Sequence, residues 1–263
     1  MGSQTGLYAY FKHADSIQEH ERQQLAELAS ERLTCTRDDV ILREGEPANG
    51  LFVVEEGLCY TQRFLEDGTR QIIDIHFPGE IIGLDQLSQP RHLSGLTALT
   101  DAALYAYDKF AVMQLFTGSP GLARLLLNMV SHGQAVLTER IVSLSRHDAL
   151  KRVAHLLLEI LHRGGDSNPL GGGSLCRISE DQAEKANRTL QPPLTFRIPQ
   201  TVIADTLGLS FVHVSRVLRQ LRERELISTR GHGITLMNVD GLREIAGVDP
   251  ALDWRGTSSM PSD

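Results

Sequence analysis

An α+β fold is predicted for this 263-residue chain, with a β-rich first half, one long central helix and a helical C-terminal module. Three observations predict it. Glycines recur at even spacing between short apolar runs, an apolar stripe of helical period follows Ser119, and a two-helix spacing pattern lies between Gln200 and Ile227. The composition permits such a fold: 41% hydrophobic and 22% charged residues supply a packed core and exclude wholesale disorder. No window approaches the roughly 18 apolar residues of a bilayer span. Residues 1–20 lack the basic start and apolar stretch of a signal peptide. The net charge of −7 excludes a uniformly basic coat but leaves room for a local basic patch. Cys35, Cys59 and Cys176 form no CxxC and no metal-ligand spacing, so a reducing, cytoplasmic setting is expected.

From about Thr34 to Tyr107 the runs LFVVEEG (51–57), CYTQRFLEDG (59–68) and QIIDIHFPG (71–79) read as short strands. Gly45, Gly57, Gly68 and Gly79 fall 12, 11 and 11 residues apart, with EDG and PGE turn signals between the runs. One turn glycine means little; the series indicates an antiparallel sandwich or roll.

From Ser119 to about Leu144 the period becomes helical. Ser119 suits an N-cap and Pro120 a first helical turn. Leu122, Leu125, Leu126, Met129, Val136, Leu137, Ile141 and Leu144 form the stripe, interrupted at Ser131–Gln134. A helix of about 25 residues spans roughly 37 Å, more than one small β domain covers. A partner helix from a second subunit would cover it, with Leu122, Leu125, Met129 and Val136 as the expected dimer contacts. Asp148 then caps a second amphipathic helix ending near Arg163. Residues 164–193, rich in Gly, Ser and Pro, read as a surface loop.

The stretch QTVIADTLGLSFVHVSRVLRQLRERELI (200–227) is the most informative. Two helices meeting at a sharp turn need a small residue at their contact, here Ala204, and a glycine at the turn, here Gly208. The second helix needs an apolar inner face, which Val214, Val217, Leu218 and Leu221 supply, and Ser210 suits its N-cap. The outer face then carries Phe211, Val212, His213, Ser215, Arg216, Arg219 and Arg222. Six arginines against three acids over 195–237 give this module +3 within an acidic chain, as phosphate contact requires. Residues 226–236 add a hairpin, a wing whose tip holds Arg230 and His232. The expected base readers are Val212, His213, Ser215 and Arg216, and the expected phosphate contacts are Thr201, Ser210, Arg219, Arg230 and His232.

This order of parts resembles the Crp/Fnr family of transcription regulators, over nearly the whole chain. REGEPANGLFVVEEG (43–57) resembles the opening of that family's β-roll, and PGEIIGLDQL (78–87) the segment that cradles phosphate in cAMP-binding members. The resemblance implies a cyclic-nucleotide-binding-like β-roll (jelly roll) over 1–118 and a dimerisation helix over 119–146. It further implies a winged helix-turn-helix over 147–240 and a tail over 241–263. It implies a homodimer on two-fold symmetric double-stranded DNA, its recognition helices one turn or roughly 34 Å apart. RNA polymerase is an implied partner of an activating member.

The departures narrow the expected ligand. Cyclic-nucleotide binders carry Glu after the cradle glycine; here Leu84 follows Gly83. They then carry an Arg-Ser pair, whereas Arg91 and Ser94 are out of step. The candidate effector pocket is Gly83, Leu84, Arg91, Ser94 and Thr138, with cyclic nucleotide not expected. Oxygen-sensing members hold an iron–sulfur cluster on several N-terminal cysteines; residues 1–34 contain none, so no such cluster is expected. GEIIGLDQL resembles the FNR and FixK branch more than the cAMP branch. Family recognition helices commonly read E-x-x-S-R. Ser215 and Arg216 match, but Val212 stands at the Glu position, which favours a thymine methyl over a cytosine amine.

Two other functional classes fit the sequence less well. No GxSxG, HExxH or Walker A motif marks an enzyme, and His76, His155 and His162 read as structural or surface residues. A cyclic-nucleotide sensor acting on a protein partner is the alternative, opposed by the out-of-step cradle and the intact Arg216. Cys176, in the loop, is the expected reactive thiol.

Overall fold

The computed structural model describes residues 7, 18–28, 30–164, 195–229 and 233–247. Arg230, His232, Cys176, the 165–193 part of the loop and the tail beyond 247 lie outside them. The chain forms two compact units. The first ends at Gln134 and the second begins at Ala135, so the boundary falls inside the long helix rather than at either of its ends.

The first unit opens with helix α1 (Glu19–Glu27) and continues as β1 (Ser30–Cys35), β2 (Val40–Leu42), β3 (Gly50–Glu56), β4 (Cys59–Phe64), β5 (Arg70–His76), β6 (Ile81–Ile82), β7 (Gly95–Ala98) and β8 (Ala102–Asp108). These make two four-stranded antiparallel sheets, in the orders β1-β8-β3-β6 and β2-β7-β4-β5. Between them lie Leu42, Val54, Cys59, Ile82, Leu96, Ala98, Ala102 and Leu104. The four evenly spaced glycines all have positive φ and punctuate the strands as the spacing predicts. At Gly57 the requirement is also steric: a Cβ there would stand 2.2 Å from the Asp101 carbonyl oxygen.

Asp108 caps α2 (Lys109–Gly118), its carboxylate accepting from the Ala111 amide at 2.8 Å. Helix α3 (Pro120–Arg146) follows, its 27 residues running about 40 Å. Ser119 Oγ accepts from the Leu122 amide at 3.3 Å, the N-cap expected of it. That hydroxyl donates in turn to Glu21 of α1, a carboxylate only 3% exposed. The Ser119 hydrogen bond holds the Glu21 carboxyl below its usual range, with the Gln18 and Gly121 amides assisting against the opposing effect of burial. A second core of Leu7, Leu25, Leu51, Val53, Tyr105, Tyr107, Val112, Phe116 and Leu122 joins sheet, α1, α2 and the start of α3.

The second unit holds the end of α3, then α4 (Ala149–Gly164), β9 (Thr195–Phe196), α5 (Gln200–Leu207), α6 (Phe211–Glu223), β10 (Ile227–Ser228), β11 (Ile234–Leu236) and α7 (Val239–Ala246). Asp148 caps α4, accepting from the Lys151 amide at 2.9 Å. Its buried run Val153–Ile160 packs against α5, α6 and α7. The hairpin β10–β11 gains β9 as a third strand, making the sheet β10-β11-β9.

Candidate nucleic-acid interface

Helices α5 and α6 meet at a turn that bends the chain by 108°, within the range of helix-turn-helix units. Gly208 makes the turn at φ 61°, ψ 36°, the left-handed region where glycine carries no steric cost. The amides of Gly208 and Leu209 both return to the Ala204 carbonyl, closing the helix end. Ala204 is 4% exposed, small enough to let the two helices touch.

Ser210 caps α6, its hydroxyl accepting from the His213 amide at 3.2 Å. Val214, Val217, Leu218 and Leu221 are buried, each contributing about 1.5–3 kcal/mol. At about 100° per residue they occupy one side of the helix, and Val212, Arg216 and Arg219 fall on the opposite row. Phe211, Val212, His213, Ser215, Arg216, Arg219 and Arg222 are all exposed. The Arg216 side chain makes no hydrogen bond or ion pair among the described residues. Arg219 instead pairs with Glu223 at 2.8 Å, both side chains well exposed, and Arg222 donates to Thr229 Oγ1 at 2.7 Å. Thr201 is exposed on the first turn of α5.

Two of the expected dimer contacts, Leu122 and Val136, are buried within the chain itself. Leu122 is fully buried in its own unit and Val136 is 8% exposed, while Leu125 and Met129 pack on the Leu122 core. The opposite side of α3 is the exposed one: Leu127 at 65%, Leu137 at 43% and Ile141 at 64%. The period shows which residues share a face, not which face meets the chain's own core. The helix runs unbroken through Gly133, where an added Cβ would meet nothing within 4 Å.

The effector residues expected from the cradle occupy different settings. Gly83 (φ 97°) opens a single 3-10 turn, Leu84–Gln86. Arg91 is exposed and donates to the Gly45 carbonyl at 2.7 Å. The buried neighbour is His92, whose Nδ1 lies 2.7 Å from Gln86 Oε1 and whose pKa burial pushes below the ordinary histidine value. Ser94 is buried. Thr138 belongs to the second unit, exposed on α3.

Sequence reasoning passed over a buried ionic cluster in the second unit. Glu159 of α4 accepts from Arg140 of α3 and, at 2.6 Å, from Arg163. Arg140 and Glu159 are 19 residues apart, beyond the reach of any helical period, so no local pattern could announce them. His155 is 5% exposed, its ring centroid 6.3 Å from that of His147. Cys59 is buried and its thiol is pushed up to about 12, mainly by loss of solvent. Among the described residues, no group of three or more His, Cys, Asp and Glu could hold a metal, and no single helix is long and apolar enough to cross a membrane.

Comparison with known proteins adds two domain matches. Residues 32–119 match the cyclic nucleotide-binding domain, and residues 151–245 the Crp-like helix-turn-helix domain. The fumarate and nitrate reduction regulatory protein of Yersinia pestis is 23% identical over 235 residues, covering 88% of this chain and 85% of that protein. The nitrogen fixation regulation protein FixK of Rhizobium meliloti is 27% identical over 206 residues, covering 78% and 82%. The structure of FixK2 from Bradyrhizobium japonicum superposes with a TM-score of 0.69 at 24% identity, over 84% of this chain and all of that one.

Proposed function

We propose that this chain, which belongs to the Crp/Fnr family of transcription regulators on its FNR/FixK side and carries the family's helix-turn-helix DNA-binding domain, acts as a homodimer on a two-fold symmetric DNA site. The observation that carries this reading is the outer face of α6. Its side chains are exposed, its arginines share one side, and Arg216 has no partner among the described residues. With the helix in a major groove, Arg216 reads guanine through O6 and N7. Ser215 and His213 reach neighbouring base edges. Thr201, the Ser210 hydroxyl and Arg219 lie along the phosphates, while the other two expected phosphate contacts, Arg230 and His232, fall outside the described residues. Arg219 exchanges Glu223 for phosphate at little cost, because that exposed pair is worth no more than about 1 kcal/mol.

The homodimer forms along the exposed side of α3. Leu127, Gln134 and Ile141 stand at seven-residue spacing with Leu137 between them, the period of a two-stranded supercoil. A dimer of this kind presents two copies of α6 to one face of DNA.

The residues in place do not fit the family's two resident groups. A buried cyclic phosphate needs a paired cation, and Arg91 is exposed and turned to a backbone carbonyl. Leu84 offers no carboxylate for a ribose hydroxyl. An iron–sulfur cluster needs about four thiolates, whereas the chain has three cysteines and the Cys59 thiol is held protonated. Regulation without either group is the reading these residues favour.

The deciding experiment is selection of bound duplexes from a random pool by the full-length protein. A palindromic motif with a guanine in each half-site supports the proposal; recovery of no symmetric motif overturns it.

A further inference from the structure

Helix α6 begins with two large apolar side chains that the described residues leave more than half exposed. Phe211 is 53% exposed and Val212 57% exposed, although the fold needs neither: the inner face is already complete with Val214, Val217, Leu218 and Leu221. Apolar area left in water forfeits free energy that only a dry partner returns. The rest of the same face states what that partner is. Arg216 and Arg219 share the row of Val212, and Ser215 and Arg222 lie on the flank of Phe211, so the occupant is a polyanion carrying apolar groups at the depth a helix start can reach. Double-stranded DNA meets both conditions, since the thymine C5-methyl is the major groove's one apolar marker.

We infer that Phe211 is a specificity-determining residue, and that with Val212 it reads thymine C5-methyl groups beside the guanine read by Arg216. This rests on the proposed DNA-binding role of α6. A phenyl ring and an isopropyl group neither donate nor accept, so at these positions the helix cannot discriminate by hydrogen bonds; contact with a methyl is the discrimination left to it. The Ser210 cap fixes the helix start, which sets where both side chains enter the groove. Phe211 at the first helical position and Val212 at the second are about 100° apart, so the two address different base pairs. Each half-site therefore carries thymine at two positions near its guanine, on either strand.

The test uses the full-length protein and the palindrome recovered from the random pool. Each thymine is replaced in turn by deoxyuridine, which removes the methyl and leaves the pairing edge unchanged. Affinity is read by fluorescence anisotropy. The expected result is about fourfold weaker binding per methyl removed at one or two positions of each half-site, and no effect elsewhere. Phe211→Ala abolishes the thymine-to-deoxyuridine difference at one of these positions and Val212→Ala at the other. Arg216→Ala weakens binding without altering either difference. Both apolar side chains are exposed, so the variants keep the fold, checked by circular dichroism. A palindrome whose every thymine tolerates deoxyuridine, or methyl dependence that survives Phe211→Ala, overturns this inference and leaves the DNA-binding reading standing. Recovery of no palindrome removes both.

Discussion

Replacing Glu159 by Gln tests a place where the second unit buries net charge. The carboxylate is held by two guanidiniums, those of Arg140 and Arg163, and the three side chains are 3%, 9% and 8% exposed. Gln keeps the shape, so no cavity opens, but it removes the countercharge of two buried cations. Breaking a buried pair from one side costs about 3–5 kcal/mol; the shape-conserving change belongs at the lower end, about 3 kcal/mol. With a urea m-value of about 2 kcal/mol/M, the unfolding midpoint moves down by about 1.5 M, read by far-ultraviolet circular dichroism. Replacing all three residues together by Met at 140 and 163 and Leu at 159 recovers most of the loss, since well-packed apolar side chains match or exceed a buried ionic group. A midpoint shift below about 0.5 M for Glu159→Gln, or no recovery in the triple variant, would refute the reasoning.

Three further outcomes are expected. Arg216→Ala weakens specific DNA binding by about 1–3 kcal/mol per subunit, while its urea midpoint stays that of the wild type because Arg216 is exposed and holds nothing among the described residues; normal affinity in an anisotropy titration contradicts the helix assignment. Acid destabilises the protein through His155, whose pKa burial lowers, Glu159 opposing and His147 and Arg140 assisting. The unfolded chain takes up that proton near pH 6.5 and the folded chain only below it, so stability is complete above 6.5 and falls as pH drops toward the folded value, by at most about 1.4 kcal/mol per pH unit. His155→Gln flattens that part of the denaturation-versus-pH curve; an unchanged slope contradicts it. Finally, Gly57→Ala and Gly68→Ala separate strain from collision. Both glycines have positive φ, costing Ala about 1–2 kcal/mol, but only at Gly57 does the new Cβ meet backbone, at 2.2 Å. Thermal unfolding places the Gly57 variant well below the Gly68 variant; equal melting temperatures would contradict the contact.

The helix-turn-helix was legible because its grammar is local. Ala204, Gly208, Ser210, Val214 and Val217 stand within fourteen residues, and each performs its part through neighbours a few positions away. The evenly spaced glycines were legible for the same reason, since a turn needs only its own residues. Which side of α3 the chain's own core takes was not legible, because Leu122 and Leu127 are equally apolar and only the core formed by α1, α2 and the sheet decides which one it claims. Arg91 could be seen as out of step, but not that its guanidinium turns outward to Gly45.

By itself, then, the order of residues determined the elements, the turns and the basic outer face of α6, each of which follows from side-chain period, capping and backbone freedom over one or two turns of chain. Only tertiary structure decided which side of α3 is free, which histidine is buried and neutral, and that Glu159 lies between two arginines. Those outcomes depend on burial, and burial is set by segments far apart in sequence competing for the same space.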